Sequence, residues 1–411
     1  MYPHLFLFRT VMNYQLSRRY FMRSSVAIAL SQLLSGCGSE EAVSQVLFLE
    51  NSIPPQSIRG FSKSLTKDRK IKFKPQTQIP QIFDSLVALK QLKKPESPAP
   101  TILDQIFNQI FPKFEIYPNL TSLGDVWLST AIKQNLIQPL SGKSLLNWQK
   151  LPLSWQKLVQ RNAQGYLADD GAIYAAPYRW GSTLIAYRSD KLAAQDIAIK
   201  DWQDLWLPEL RDRISLLDSP REVIGLTLKK LGQSYNLGNL ATVPNLEAEL
   251  LALHQQTKLY SSDHYLEPLV LGDTWAAVAW STDVLPLLKR YPEIKFVIPQ
   301  SGASLWADLW VKPQVPEALL TEDSNDRFKI VEEWINYCWQ PQTAKQISLF
   351  TDGISPILTT LPSQEIPKDL QDNVFLNSAV LNSDQSEFLL PLKPETEQQY
   401  QDLWLKVRRS G

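Results

Sequence analysis

Strand-like and helix-like segments alternate along most of this chain, and that alternation is the strongest limit on its fold. "VLFLE" (46–50) reads as a buried strand, and Pro54-Pro55 breaks it ahead of a helix at about 56–64. "KIKFKP" alternates as a second strand, and a helix over about 79–92 runs into the Pro-rich loop "KKPESPAP". Residues 123–140 begin at a strand end and become a helix, while "AIYAAPYRWGSTLIAYRSD" (172–190) reads as strand, turn, strand. The rhythm persists through "ISLLDSPREVIGLTLKKLG", a strand, a turn and a helix, with Asp218 or Ser219 as its cap and Pro220 in its first turn. "TWAAVAW" and "IKFVIP" are further strands. "SNDRFKIVEEWINYCW" is an amphipathic helix, broken at Gln340-Pro341 before a second helix that Gly353 stops. This order predicts an α/β architecture with largely parallel sheets, and 411 residues suffice for two domains or one bilobal one.

Charge and cysteine content narrow the function. The 42 basic and 42 acidic residues cancel, which gives no sign of nucleic-acid binding. Removing residues 1–36, which hold Arg9, Arg18, Arg19 and Arg23 and no acid, leaves 38 basic against 42 acidic residues, a net charge of −4. The two cysteines, Cys37 and Cys338, offer neither a disulfide framework nor a Cys-rich metal site.

The N-terminus reads as an export leader. In "LSRRYFMRSSVAIALSQLLSGCGSEE", Arg18-Arg19 and the nearby Phe21 have the offsets of a twin-arginine signal. The apolar run Val26 to Leu34 is too short to span a bilayer, which needs about 20 apolar residues. Leu34-Ser35-Gly36-Cys37 resembles a bacterial lipobox. Residues 1–36 are therefore expected to be a cleaved signal peptide, with Met12 as an alternative start, and Cys37 to carry lipid. Residues 37–45 form a tether, and the body of the protein lies on the periplasmic side of the plasma membrane.

"SGASLWADLW" (301–310) sets the acid Asp308 between Trp306 and Trp310 in a strand-like segment. A buried carboxylate without a partner is costly. A carboxylate beside indole faces suits an organic cation, which gains charge-assisted hydrogen bonds and about 0.5–2 kcal/mol from each aromatic face. A linear polyamine needs several such acids along a groove, with aromatic walls covering its methylenes. Asp308, Glu222, Trp306 and Trp280 supply those types from separated segments. Each also has an ordinary structural reading. Tryptophans in strands pack cores, Asp308 can pair with an arginine, and Glu222 lies in the first turn of a helix, where the dipole favours an acid. Arg179 and Arg221 are the counter-signal, since "DSPRE" at a helix start can hold an anion.

Several segments fall in a familiar order: "APYRWGSTLIAYRSDKL" (176–192), residues 201–232, "LGDTWAAVAWSTDV" (271–284), "FVIPQSGASLWADLWVKP" (296–313) and residues 328–357. Over about 120–360 the chain resembles the spermidine/putrescine-binding proteins of bacterial ABC importers. The resemblance implies a two-lobed periplasmic-binding-protein fold of the two-crossover type, each lobe a mostly parallel sheet flanked by helices. Lobe 1 is expected at 46–183 and 305–360, and lobe 2 at 184–304 and 361–408. It further implies a monomer that closes on a polyamine and delivers it to a permease with ATPase subunits, using no cofactor or metal. By this resemblance Trp306 and Trp280 stack on the ligand, while Asp308 and Glu222 take its amines. A further family acid falls on Ser219, beside Asp218. Asp125 and Trp127 stand in for a tyrosine-rich loop. Glu50, Asn51 and Ser52 replace an aromatic and acidic cluster, and Ile354 replaces a tyrosine. These departures imply a ligand shorter than spermidine, or one that is not a polyamine.

Other functions have less support. His254 and His264 lack zinc-motif spacing, Cys338 sits in a helix pattern, and there is no P-loop, Gly-x-Ser-x-Gly or dinucleotide fingerprint, so catalysis is not expected. None of the 14 tyrosines are adjacent, as ferric-binding relatives would have them. The remaining alternatives are a binding protein for an amino acid, sugar or anion, and a ligand-free sensor or assembly lipoprotein.

Overall fold

The computed structural model describes residues 43–92, 117–371, 373–376 and 385–410. The leader, Cys37 and the "KKPESPAP" loop lie outside the described residues. Thirteen strands are described: β1 (Val43–Leu49), β2 (Lys70–Gln76), β3 (Leu120–Gly124), β4 (Ile137–Gln138), β5 (Gln160–Arg161), β6 (Ala172–Ile173), β7 (Ala175–Arg188), β8 (Ile214–Leu216), β9 (Thr257–Tyr260), β10 (Ala276–Trp280), β11 (Ile294–Val297), β12 (Ser304–Pro313) and β13 (Glu387–Phe388). Eleven of them join one sheet along the path β2-β1-β3-β12-β7-β10-β8-β9, with β11 on β7 and with β4 and β13 on β12.

The outer strands pair in parallel, as helical crossovers require: β2 with β1, β1 with β3, β10 with β8, and β8 with β9. Every antiparallel pairing described in this sheet involves β7 or β12. β1 is buried on both faces, which explains its run of apolar residues. β2 ends the path, and its alternating lysines and Pro75 suit an edge that must not recruit another strand.

β7 and β12 organise the molecule. β7 pairs with β12 through residues 175–182, then with β10 through 183–187. It thereby links the parallel strands β1–β3 to the parallel strands β8–β10. The turn expected inside 172–190 is absent, and the strand is continuous for 14 residues. Gly181 lies inside that strand, where its small size serves contact. A Cβ there would lie 2.3 Å from the Trp306 ring and 2.4 Å from Ser281 Oγ.

Large aromatics fill the interior. Tyr178 stacks on Trp310 at 4.4 Å, and Trp310 meets Trp334 edge-on at 6.0 Å. Both tryptophans are fully buried, so truncating either to alanine is expected to cost about 3–5 kcal/mol. Trp310 is thus a core residue, while Trp275 lies half-buried under Arg213. Cys338 is also fully buried, and burial raises its thiol above the ordinary range.

The helix Pro220–Lys230 is capped by Ser219, whose Oγ accepts from the Glu222 amide at 3.4 Å, with Pro220 at its first position. The helix Pro341–Phe350 ends without help from Gly353. The left-handed residue is Asp352, at φ 54°, and Gly353 is small because the Arg179 side chain passes against it, 2.5 Å from where a Cβ would stand. Among the described residues no helix is long and apolar enough to cross a membrane.

Candidate functional site

The β7–β12 ribbon has one polar face. Side chains alternate along a strand, so Arg179, Gly181 and Thr183 share a face of β7, and Asp308, Trp306 and Ser304 share a face of β12. The register sets Asp308 opposite Arg179 and Trp306 opposite Gly181. Thr183 and Ser304 follow, with their hydroxyls 2.5 Å apart. Three cross-strand pairs thus form a line: acid and guanidinium, indole and glycine, two hydroxyls.

At the first pair, Arg179 Nε donates to Asp308 Oδ2 at 2.8 Å and Nη2 lies 2.6 Å from the same oxygen. Arg179 Nη1 donates to the Thr351 carbonyl at 3.2 Å. The guanidinium carbon is 5.7 Å from the centroid of the Trp306 ring. Both charged residues are 5% exposed, so this is a buried, compensated pair. Trp306 is half-buried, and its Nε1 is enclosed without a hydrogen-bond partner.

Beyond the third pair lies Glu222, also buried. Ser304 Oγ donates to its Oε2 at 2.6 Å. Burial pushes its carboxyl up to about 7, against the opposing effects of Ser304, Arg221 and Thr183. Tyr235 packs beside it, and burial with the nearby Glu222 carboxyl raises the phenol well above its ordinary value.

Asp125 approaches the Trp306–Asp308 segment from the start of the helix Asp125–Lys133. Its Oδ1 accepts from the Ala307 amide at 3.0 Å, and its Oδ2 is enclosed without a partner. Burial pushes this carboxyl up to about 7 as well, with the Ala307 amide and Arg161 opposing. Burial thus raises two of these acids, while the third is paired with an internal cation.

Trp280 ends β10 opposite Thr183, half-buried, with Tyr265 edge-on at 6.0 Å. Its neighbour Ser281 accepts from the Ser182 amide at 3.3 Å. Trp127 is half-buried and turns toward Phe83, 4.7 Å away. Ser219 is the helix cap already described. Asp218 lies on the surface and pairs with Arg408 at 3.0 Å, with 41% of its side chain exposed. The structure thus brings Asp308 and Trp306 to one ribbon face, with Glu222 bonded to Ser304 at its end, Asp125 bonded to the Ala307 amide and Trp280 opposite Thr183. Among the described residues, Trp127 packs on Phe83, Asp218 pairs with Arg408 and Ser219 caps its helix, contacts that involve neither Asp308 nor Trp306.

Neither arginine offered as an anion receptor is open for that role. Arg179 is engaged as above. Arg221 donates to the Leu390 carbonyl at 2.9 Å and to Asn236 Oδ1 at 3.1 Å, and lies over the Tyr400 ring.

Asp283 was missed in the sequence reading. It starts the helix Ser281–Leu288 three residues after Trp280, and Tyr265 donates to its Oδ2 at 2.6 Å. The residue is exposed, yet neighbouring protein atoms desolvate its carboxyl and raise it, with Tyr265 and Arg179 opposing. Asp352 behaves alike, raised by burial and lowered by Lys289 and Arg179. The i, i+3 spacing of Trp280 and Asp283 at a strand-to-helix junction was the available signal.

A two-lobed periplasmic binding protein is the class that this architecture defines, with two long strands passing between halves of an α/β sheet. A family model described as bacterial extracellular solute-binding protein matches residues 117–376, and the chain belongs to that family. It is 26% identical over 257 residues to the putrescine-binding periplasmic protein PotF of Escherichia coli strain K12, covering 58% of this chain and 65% of that one. It is 26% identical over 240 residues to the spermidine/putrescine-binding periplasmic protein of Salmonella typhimurium, covering 58% and 63%. The matches thus span just under two thirds of those relatives. Among solved structures, the spermidine/putrescine substrate-binding protein PotD of Streptococcus pneumoniae superposes with a TM-score of 0.69 at 17% identity, over 89% of this chain and 98% of that one, a likeness of fold.

Proposed function

We propose that this chain is the substrate-binding component of an ABC importer and that its solute is a small aliphatic amine of the polyamine class. The observation that carries the reading is the pair of buried carboxyls, Glu222 and Asp125, bonded to the Ser304–Asp308 stretch that carries the Trp306 indole and, among the described residues, in direct ion pair with no cation. An amine reaching them would replace lost hydration with charge-assisted hydrogen bonds, and the indole would cover its methylenes. The lobes on this reading are 46–183 with 305–360, and 184–304 with 361–408, closing about β7 and β12 and handing the solute to a permease driven by ATPase subunits.

The same reading includes export through the twin-arginine leader, lipidation of Cys37 and action as a monomer on the outer side of the plasma membrane. Labelling with a radioactive fatty acid should mark the parent chain and not Cys37→Ser.

The ligand test is a thermal-shift panel on the Cys37→Ser chain. Putrescine or spermidine should raise the melting temperature, since a ligand that binds only the native state stabilises it by about 2.7 kcal/mol at a hundred times its Kd. A shift from an anion, sugar or amino acid, with none from any polyamine, overturns the amine assignment.

A further inference from the structure

Resting on the amine reading above, Arg179 acquires a specific role. A buried carboxylate beside an indole face is a receptor for a cation. In this chain that receptor is filled from within. Arg179 Nε and Nη2 both meet Asp308 Oδ2, and the guanidinium lies on the Trp306 side of the ribbon, 5.7 Å from the ring centroid. These are the two contacts that a ligand ammonium would make there.

The occupant is held in place. Its Nη1 donates to Thr351, and its Cγ lies 2.5 Å from where a Cβ on Gly353 would be, so the side chain is threaded between β12 and the 351–354 segment. That segment is fixed in turn, because Trp180 and Ile354 exchange both backbone hydrogen bonds at 2.9 Å. Arg179 is therefore held by contacts on both sides, unlike a surface arginine that swings aside.

We propose that Arg179 is a built-in cation that takes the Asp308–Trp306 subsite and thereby sets the charge and length of the solute. Asp125 and Glu222 remain for the guest's own ammonium groups. A short diamine needs one fewer subsite than a triamine, so the site selects putrescine over spermidine. Arg179 is a specificity-determining residue: removing it reopens a subsite for a longer, more highly charged amine.

The test titrates putrescine and spermidine into the Cys37→Ser chain with and without Arg179→Gln, and reads the melting temperature of each in methylguanidinium chloride. Glutamine still donates a hydrogen bond toward Asp308, and Arg179→Ala serves as a second background. The parent should prefer putrescine. Both variants should shift the ratio of the two affinities toward spermidine by about tenfold, which is about 1.4 kcal/mol. Methylguanidinium should stabilise the variants and not the parent. An unchanged ratio without methylguanidinium stabilisation overturns the proposal. If no chain binds either amine, the amine reading fails, and methylguanidinium alone decides: stabilisation of the variants supports the built-in cation, and none rejects it. If a variant folds poorly, recovery of its folded state by methylguanidinium supports the assignment, and failure to recover rejects it.

Discussion

Asp308 and Glu222 are both buried acids at the same ribbon face, and only one of them has a cation. Asp308 is locked to Arg179, with the charges matched inside the protein. Glu222 accepts from the Ser304 hydroxyl, with Thr183 and Arg221 nearby, and is still pushed up to about 7, as is Asp125. The first arrangement is closed by an internal ion pair, whereas the second carries its burial as a raised carboxyl. A carboxylate in a cleft is therefore not by itself a ligand contact. What matters is whether the fold already supplies its counter-charge.

Breaking the compensated end should have the largest effect. Asp308→Ala leaves Arg179 buried and unpaired, and urea unfolding should show a loss of about 3–5 kcal/mol. A loss below about 1 kcal/mol would mean that Arg179 finds another partner and that the two ends do not differ as described. Between the ends stands Gly181. Gly181→Val should cost about 1–3 kcal/mol through overpacking against Trp306 and Ser281, and should weaken amine binding because the indole is displaced. Thermal unfolding and calorimetric titration of the same variant check both parts.

The uncompensated acids make the comparison sensitive to pH. Their folded pKa values, about 7, lie above the unfolded value near 4, so the native state holds protons that the unfolded chain has released. Stability of the unliganded protein should fall as pH rises from about 4 to 7, by up to ~1.4 kcal/mol per pH unit for each group, and then level off. Amine affinity should rise across the same window, because bound cation favours the ionised acid. Glu222→Gln should reduce both slopes, measured as denaturation midpoints and dissociation constants at pH 5, 6, 7 and 8. Unaltered slopes would remove Glu222 from the comparison. The smallest effect belongs to a pair outside it. Asp218→Ala breaks a surface contact with Arg408 and should cost roughly 0.2–1 kcal/mol, with amine binding unchanged.

Much of this was legible before any coordinates. Most of the element order, a cap at Asp218 or Ser219, and the candidate acids Asp308 and Glu222 follow from local pattern and residue chemistry, while Asp125 came from the family resemblance. Gly353 reads as a helix stop, but its small size serves Arg179, and Gly181 makes room for Trp306, partners more than a hundred residues away in sequence. Asp283 and the pairing of Arg179 with Asp308 were likewise hidden, since residues 129 positions apart share a register only once the strands are laid side by side.

Local periodicity and side-chain chemistry, both properties of neighbouring residues, were enough to determine an α/β chain with indoles and acids suited to a cation. Tertiary structure alone decided which acid already holds its counter-ion. Whether a buried charge is matched depends on which strand lies opposite it, and that long-range pairing is a property of the assembled sheet.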